Sequence, residues 1–155
     1  LGAYGPATAA DFAQWSGLRG ARAILESLGD DLVSIDVDGR ILVDLAEAKR
    51  AAGTPAPTAR LLAEFDAALL SHQDRSRILP DVSVIASPNG LIPSTFVIDG
   101  AVAGRWTLTV EDGDARATVT PLRRLPQRVH SAVRRELRSL SRDLHGARLA
   151  EVAVD

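Results

Sequence analysis

Residues 69–80 read L-L-S-H-Q-D-R-S-R-I-L-P, seven polar side chains (Ser71 to Arg77) between two apolar anchors. Metal binding would draw on His72 and Asp74, but a metal site needs three or four converging ligands. The other histidines, His130 and His145, lie far along the chain, and no His-x-x-x-His or Glu-x-x-His spacing occurs. No metal and no cofactor are expected. Nucleophilic catalysis would need Ser71 and His72 to meet, yet adjacent residues on a helix or strand are expected to point apart. There is no Gly-x-Ser-x-Gly elbow and no Gly-rich phosphate loop. Phosphate contact is the third option. His72, Arg75 and Arg77, with Ser76, carry donors of the kind that bind phosphate oxygens. Asp74 could orient an arginine through a bidentate pair. The plainer alternative is that Asp74 pairs with an arginine to finish a turn, while His72 is packed as a structural residue.

The elements that must position this stretch follow from periodicity. Thr8, with Asp11 three residues on, has the form of a capping box. Phe12, Ala13 and Trp15 give the helix it starts an apolar side. Ser16-Gly17 marks a turn, with Ser16 placed to cap a second helix whose buried face would be Leu18, Ala21, Leu25 and Leu28. Arg19 and Arg22 fall away from that face. Leu32 to Val37 alternates, Asp38-Gly39 signals a hairpin turn, and Arg40 to Val43 returns. Asp44 to Ala52 reads as a short helix ended by Gly53. Two short helices and a hairpin make a winged-helix pattern, expected over residues 1–53.

A proline-rich linker is expected over 54–60. Strand candidates then run over 82–86, 91–98, 101–111 and 115–120, separated by Asn89-Gly90, Asp99-Gly100 and Asp112-Gly113. This spacing suggests a small antiparallel β-barrel-like domain over 61–122. In the strand 101–111, Val102, Trp106, Leu108 and Val110 alternate with Arg105, Thr107 and Thr109, one face in and one out. An arginine-rich segment, 123–148, holds a long helix with a stripe of Val129, Val133, Leu137, Leu140 and Leu144. The fold class expected is α+β: winged helix, barrel-like sheet, then a C-terminal amphipathic helix.

Charge is unevenly spread. Residues 1–122 hold ten basic and 16 acidic side chains, whereas 123–148 hold eight arginines against Glu136 and Asp143. The whole chain carries -2 and so conceals a basic segment. That segment is either a solvated face or a surface for phosphate backbone. With no cysteine, disulfides and thiol chemistry are excluded, which fits a cytoplasmic setting. No apolar run approaches the roughly 20 residues of a membrane span. The sequence opens at Leu1 and contains no methionine, which suggests a fragment of a longer protein.

Three spaced motifs resemble one family: G-P-A-T-A-A-D-F-A-Q-W-S-G-L (5–18), L-L-A-E-F-D-A-A-L-L-S-H-Q-D-R-S-R-I-L-P (61–80) and P-S-T-F-V-I-D-G-A-V-A-G-R-W (93–106). They look like the winged-helix DNA glycosylases of the AlkZ-like family, in the right order and over nearly the whole chain. The resemblance implies tandem winged helices followed by a β-barrel-like part, of which this chain matches the last winged helix, the barrel and the terminal helix. It also implies double-stranded DNA as partner, upstream winged-helix domains of the same chain as neighbours, and a monomer. His72, Arg75 and Arg77, with Arg19, Arg22 and Arg105, would face DNA, and Asp74 would orient them.

In the family, alkylated or crosslinked bases are removed by cleaving the N-glycosidic bond, with a Gln-x-Gln or Gln-x-Asp catalytic signature. Here the glutamines are Gln14, Gln73 and Gln127, followed two positions later by Ser16, Arg75 and Val129. The signature is absent, so no catalytic residue is expected in this chain. A non-enzymatic DNA-binding regulator and a structural module packing on upstream domains are the alternatives.

Overall fold

The computed structural model describes residues 1–49, 59–79, 81, 83 and 90–155. The chain divides into two compact units, Leu1–Pro55 with Ala67–Asp74, and Ala56–Asp66 with Arg75–Asp155. Segment 67–74, expected with the sheet, therefore groups with the N-terminal helices. The expected linker at 54–58, the stop at Gly53 and most of the strand candidate 82–86 lie outside the described residues.

In the first unit, helix α1 (Ala9–Ser16) starts at the Thr8 capping box. Asp11 N–H donates to Thr8 Oγ1 at 3.1 Å and Thr8 N–H donates to Asp11 Oδ2 at 2.9 Å. Gly17, at φ 69, ends the helix in the left-handed conformation that favours glycine. Ser16 does not cap the next helix: its hydroxyl donates back to the Phe12 carbonyl at 2.6 Å and accepts from Leu18 N–H. Helix α2 (Ala21–Ser27) instead starts after Gly20 and is only seven residues long. Leu18 and Leu28 thus fall outside it and are 50% and 41% exposed, leaving Ala21 and Leu25 as its buried face.

Strands β1 (Leu32–Val37) and β2 (Arg40–Leu45) pair antiparallel. Their turn places Asp38 and Gly39 at φ 55 and 78, the two left-handed residues of a tight hairpin. Ala7 bridges β2 through reciprocal bonds to Val43 of 2.9 and 2.8 Å. The helix expected from Asp44 does not form there. Asp44 and Leu45 continue β2, and Leu42 and Asp44 are both buried, so the two-residue period of the strand prevails. Helix α3 (Ala67–Leu70) is a single turn whose Leu69 is fully buried.

The second unit is a five-stranded sheet of order β3-β4-β5-β6-β7. The strands are β3 (Ala59–Leu62), β4 (Thr95–Ile98), β5 (Ala101–Glu111), β6 (Asp114–Pro121) and β7 (Arg148–Val154). Asp99-Gly100 and Asp112-Gly113 make the turns, each with both residues at positive φ. Gly104 lies opposite Phe96, and a Cβ there would meet the Phe96 ring and stand 2.5 Å from the Thr120 carbonyl. Helix α4 (Gln127–His145) runs between β6 and β7.

Strand β7 was not foreseen, and it pairs with β6 in parallel, Ala117 facing Val152. The sheet is therefore mixed rather than antiparallel throughout. The reason is connectivity: a 19-residue helix is a crossover long enough to bring the chain back in the same direction. Val129, Ala132, Val133 and Leu137 of α4 pack with Phe96, Ala117, Val119 and Leu125 to form the core. Leu144, expected in that stripe, is 70% exposed. Ser141 takes the inward place in the last turn and donates to the Leu137 carbonyl at 2.8 Å.

Candidate nucleic-acid interface

The division between the two units falls between Asp74 and Arg75, in the middle of the polar motif. Its first half is fastened to α1. The Gln14 side chain donates to the Leu70 carbonyl at 2.6 Å, and Gln73 N–H donates to Asp11 Oδ1 at 2.7 Å. The His72 ring meets Trp15 edge-on, 5.7 Å between centroids, while Trp15 also contacts Tyr4 and Phe12. One carboxylate thus does two jobs: Asp11 caps α1 with one oxygen and holds the backbone of the motif with the other.

Asp11 is 2% exposed. Burial pushes its carboxyl up, but the Thr8 hydroxyl and N–H, the Gln73 N–H and the charge of His72 outweigh it. The net result lies below the ordinary carboxylate range. Sequence reasoning identified Asp11 as a capping residue and had no local signal for its bond to Gln73, 62 residues away. Trp15 is likewise expected on the apolar side of the helix with no signal for His72, and Gln14 is read only as lacking the catalytic signature.

Ser71 and His72 do meet, contrary to the expectation for neighbours: Ser71 Oγ lies 2.9 Å from His72 Nδ1. The chain leaves the single turn of α3 at Leu70, so neither helical nor strand geometry holds the two side chains apart. Ser71 is buried, 5% exposed. Among the described residues no three His, Cys, Asp or Glu side chains gather as a metal site would require. Asp74 is paired with Arg40, the first residue of β2. Arg40 was not singled out from the sequence; as a strand-end cation it carries no distinguishing signal.

The second half of the motif belongs to the sheet. The Arg75 carbonyl accepts from Ile78 N–H at 3.0 Å and from Leu79 N–H at 2.7 Å, a turn that displays the intervening residues. Val102 N–H donates to the Ile78 carbonyl at 2.7 Å, tying this turn to β5 three residues before Arg105. Arg75 is half-buried, whereas Arg77 and Arg105 are exposed. Neither Arg77 nor Arg105 makes an ion pair among the described residues. Arg105 stands on the polar side of β5, opposite Thr120.

In the first unit, Arg19 lies in the turn before α2 rather than on it, and Arg22 is in its first turn; both are exposed. Arg22 borders a groove of about 540 Å³ that is floored by Leu25, Leu32, Ile41 and Val43. The six candidate DNA contacts are therefore split, His72, Arg19 and Arg22 in one unit and Arg75, Arg77 and Arg105 in the other.

Comparison with known proteins adds three findings. Residues 1–142 match the family described as DNA glycosylase AlkZ-like. The interstrand DNA cross-link repair glycosylase of Streptomyces sahachiroi is 35% identical over 132 residues, covering 78% of this chain and 34% of that protein. The solved structure of the Streptomyces sahachiroi DNA glycosylase AlkZ superimposes with a TM-score of 0.77 at 31% identity, over 99% of this chain and 43% of that one. The chain thus spans between a third and a half of the length of these relatives. With a match over residues 1–142 and a mixed α+β fold like that of AlkZ, the chain belongs to the AlkZ-like DNA glycosylase family.

Proposed function

We propose that this chain is the DNA-binding portion of a DNA-repair glycosylase-like protein, with helices α1 and α2 and the β1–β2 hairpin acting as a winged helix. The sheet of the second unit supplies a barrel-like second surface. His72, Arg75 and Arg77, with Arg19, Arg22 and Arg105, contact the phosphate backbone, and Asp74 helps to set their arrangement. The observation that carries this reading is the pair of exposed arginines, Arg77 and Arg105, linked through the Ile78–Val102 backbone bond and without carboxylate partners among the described residues. Unpaired guanidinium groups on an ordered turn and strand suit phosphate oxygens, which position a protein on a duplex without reading sequence.

Base excision, on crosslinked DNA as the relative's name indicates and on alkylated bases as the family resemblance implies, is proposed for a longer protein that includes the Gln-x-Gln or Gln-x-Asp signature. The three glutamines here do not form it, and the Gln14 side chain is already bonded to Leu70. That absence also favours a second reading, a DNA-binding regulator without catalysis. Fluorescence anisotropy with a labelled duplex over a salt series tests the common part. Binding is expected at low salt, weakening as salt rises, and Arg75→Glu with Arg77→Glu should abolish most of it. No binding at low salt, or binding indifferent to that charge reversal, would overturn the proposal. The chain alone should release no base from alkylated duplex.

A further inference from the structure

Helix α4 has a feature that the candidate sites above leave unused. Arg128, Arg134, Arg135, Arg138 and Arg142 are all exposed, on the side opposite the buried Val129, Val133 and Leu137. Arg128, Arg135 and Arg142 recur every seven residues and so lie almost on one line, with Arg134 and Arg138 beside it. At the helical rise the line is about 21 Å long, which matches about six phosphates of one strand along a duplex.

The carboxylates of the helix neutralise only the Arg142 end of this face. Glu136 is paired with Arg60, and Asp143 is paired with Arg142. Arg128, Arg134, Arg135 and Arg138 have no ion pair among the described residues. The arginines are also held on a rigid support, because the apolar side of α4 is packed against the sheet, with Leu137 fully buried.

We infer that the arginine face of α4 is a second duplex-DNA surface, gripping phosphate backbone without regard to sequence. This rests on the reading of the chain as DNA-binding and adds to it a contact that none of the candidate residues supplies. A lipid surface fits less well. A membrane-bound amphipathic helix inserts its apolar side, and that side of α4 is already covered by the sheet. An acidic protein partner also fits less well. The face has no aromatic or aliphatic residue among its arginines to serve as the buried centre of a protein interface. A linear array of guanidinium forks suits a linear array of phosphates.

The test compares four forms of the 155-residue chain on a fluorescein-labelled duplex across a salt series. They are the native chain, an Arg128→Gln, Arg135→Gln, Arg138→Gln variant, the corresponding lysine triple variant, and the Arg75→Glu, Arg77→Glu variant. The glutamine triple variant should lower the slope of log affinity against log salt by about 2–3, close to 0.9 per lost phosphate contact. A lysine triple variant at the same positions should restore that slope, and one as weak as the glutamine variant would overturn the phosphate reading. An unchanged slope in the glutamine variant, with binding lost in the Arg75/Arg77 variant, overturns the α4 inference alone and leaves the proposed function standing. Absence of binding by the native chain at low salt defeats both. Native binding to phosphatidylserine vesicles or to poly-glutamate but not to duplex, removed by the glutamine variant, would assign the face to lipid or to acidic protein instead.

Discussion

Ser71–Asp74 and Arg75–Leu79 are consecutive in sequence but are held by different kinds of contact. The first stretch is tied to α1 by side chains: Asp11 takes the Gln73 N–H, Gln14 reaches the Leu70 carbonyl, and Trp15 meets the His72 ring. The second is tied to its unit by backbone, through the Arg75 turn and the Ile78–Val102 bond. The side chains of α1 thereby hold the backbone at Leu70 and Gln73 and the His72 ring. Backbone fastening of the second leaves Arg77 exposed. A motif that looks uniform as sequence therefore divides into an anchor and a presenting turn.

Changes in the anchor should cost stability, and changes in the turn should cost binding. The largest effect is expected at Leu69, fully buried at the start of the anchor. Leu69→Ala should destabilise by about 2–5 kcal/mol through lost transfer energy and the cavity left behind. Urea denaturation gives the magnitude. Hydrogen exchange should show the loss in peptides from α1 and 67–74, with those from β5 and β6 little changed. Equal loss in both sets would break the division.

Asp11→Ala comes next, at about 1–3 kcal/mol, because it removes half of the capping box and leaves the part-buried Gln73 N–H without its acceptor. The charge on Asp11 also makes the anchor sensitive to acid. Its carboxyl titrates below the ordinary range in the folded chain. The stability it contributes is therefore present above the unfolded value of about 3.9 and is lost as pH falls through the lower, folded value. The native chain should lose stability as it is acidified below about pH 4, and Asp11→Asn should lose less over that window. An Asn variant with the same acid sensitivity as the native chain would assign the effect to another carboxylate.

Much of this arrangement was legible in the sequence. The Thr8–Asp11 spacing located the start of α1, and three Asp-Gly pairs located three hairpin turns, because local chemistry decides both. The burial of α4 followed from its period as far as Leu137. Strand β7 was hidden, since a seven-residue alternation after a helix gives no hint of which strand it will join, or in which direction. The anchor was hidden for the same reason. Asp11 and Gln73 are 62 positions apart, and only the folded chain makes one the acceptor of the other. Ser71 and His72 looked like poor partners by a rule for regular elements, and they met because the chain there is irregular.

The Arg40–Asp74 pair tests where the anchor ends. Both side chains are close to half exposed, at 47% and 41%. A double-mutant cycle with Arg40→Gln and Asp74→Asn should give a coupling of only about 0.2–1 kcal/mol. That coupling should shrink further with added salt, as exposed charges are screened. A coupling above that range would extend the tightly held part of the motif through Asp74.

Arg77→Gln should have the smallest effect on stability, within about 0.5 kcal/mol, as expected for an exposed side chain without a partner among the described residues. Its effect should appear in binding instead. If Arg77 sits on one phosphate, the slope of log affinity against log salt for a duplex falls by about 0.9, equally for duplexes of different sequence. The two measurements on this one variant carry the whole comparison. A residue of the anchor would move the urea midpoint and leave the salt slope alone, whereas a residue of the presenting turn does the reverse. Loss of stability without a change in slope would place Arg77 with Asp11 and Leu69 among the residues that hold the fold, and would leave Arg105 as the exposed cation of the pair still available to DNA.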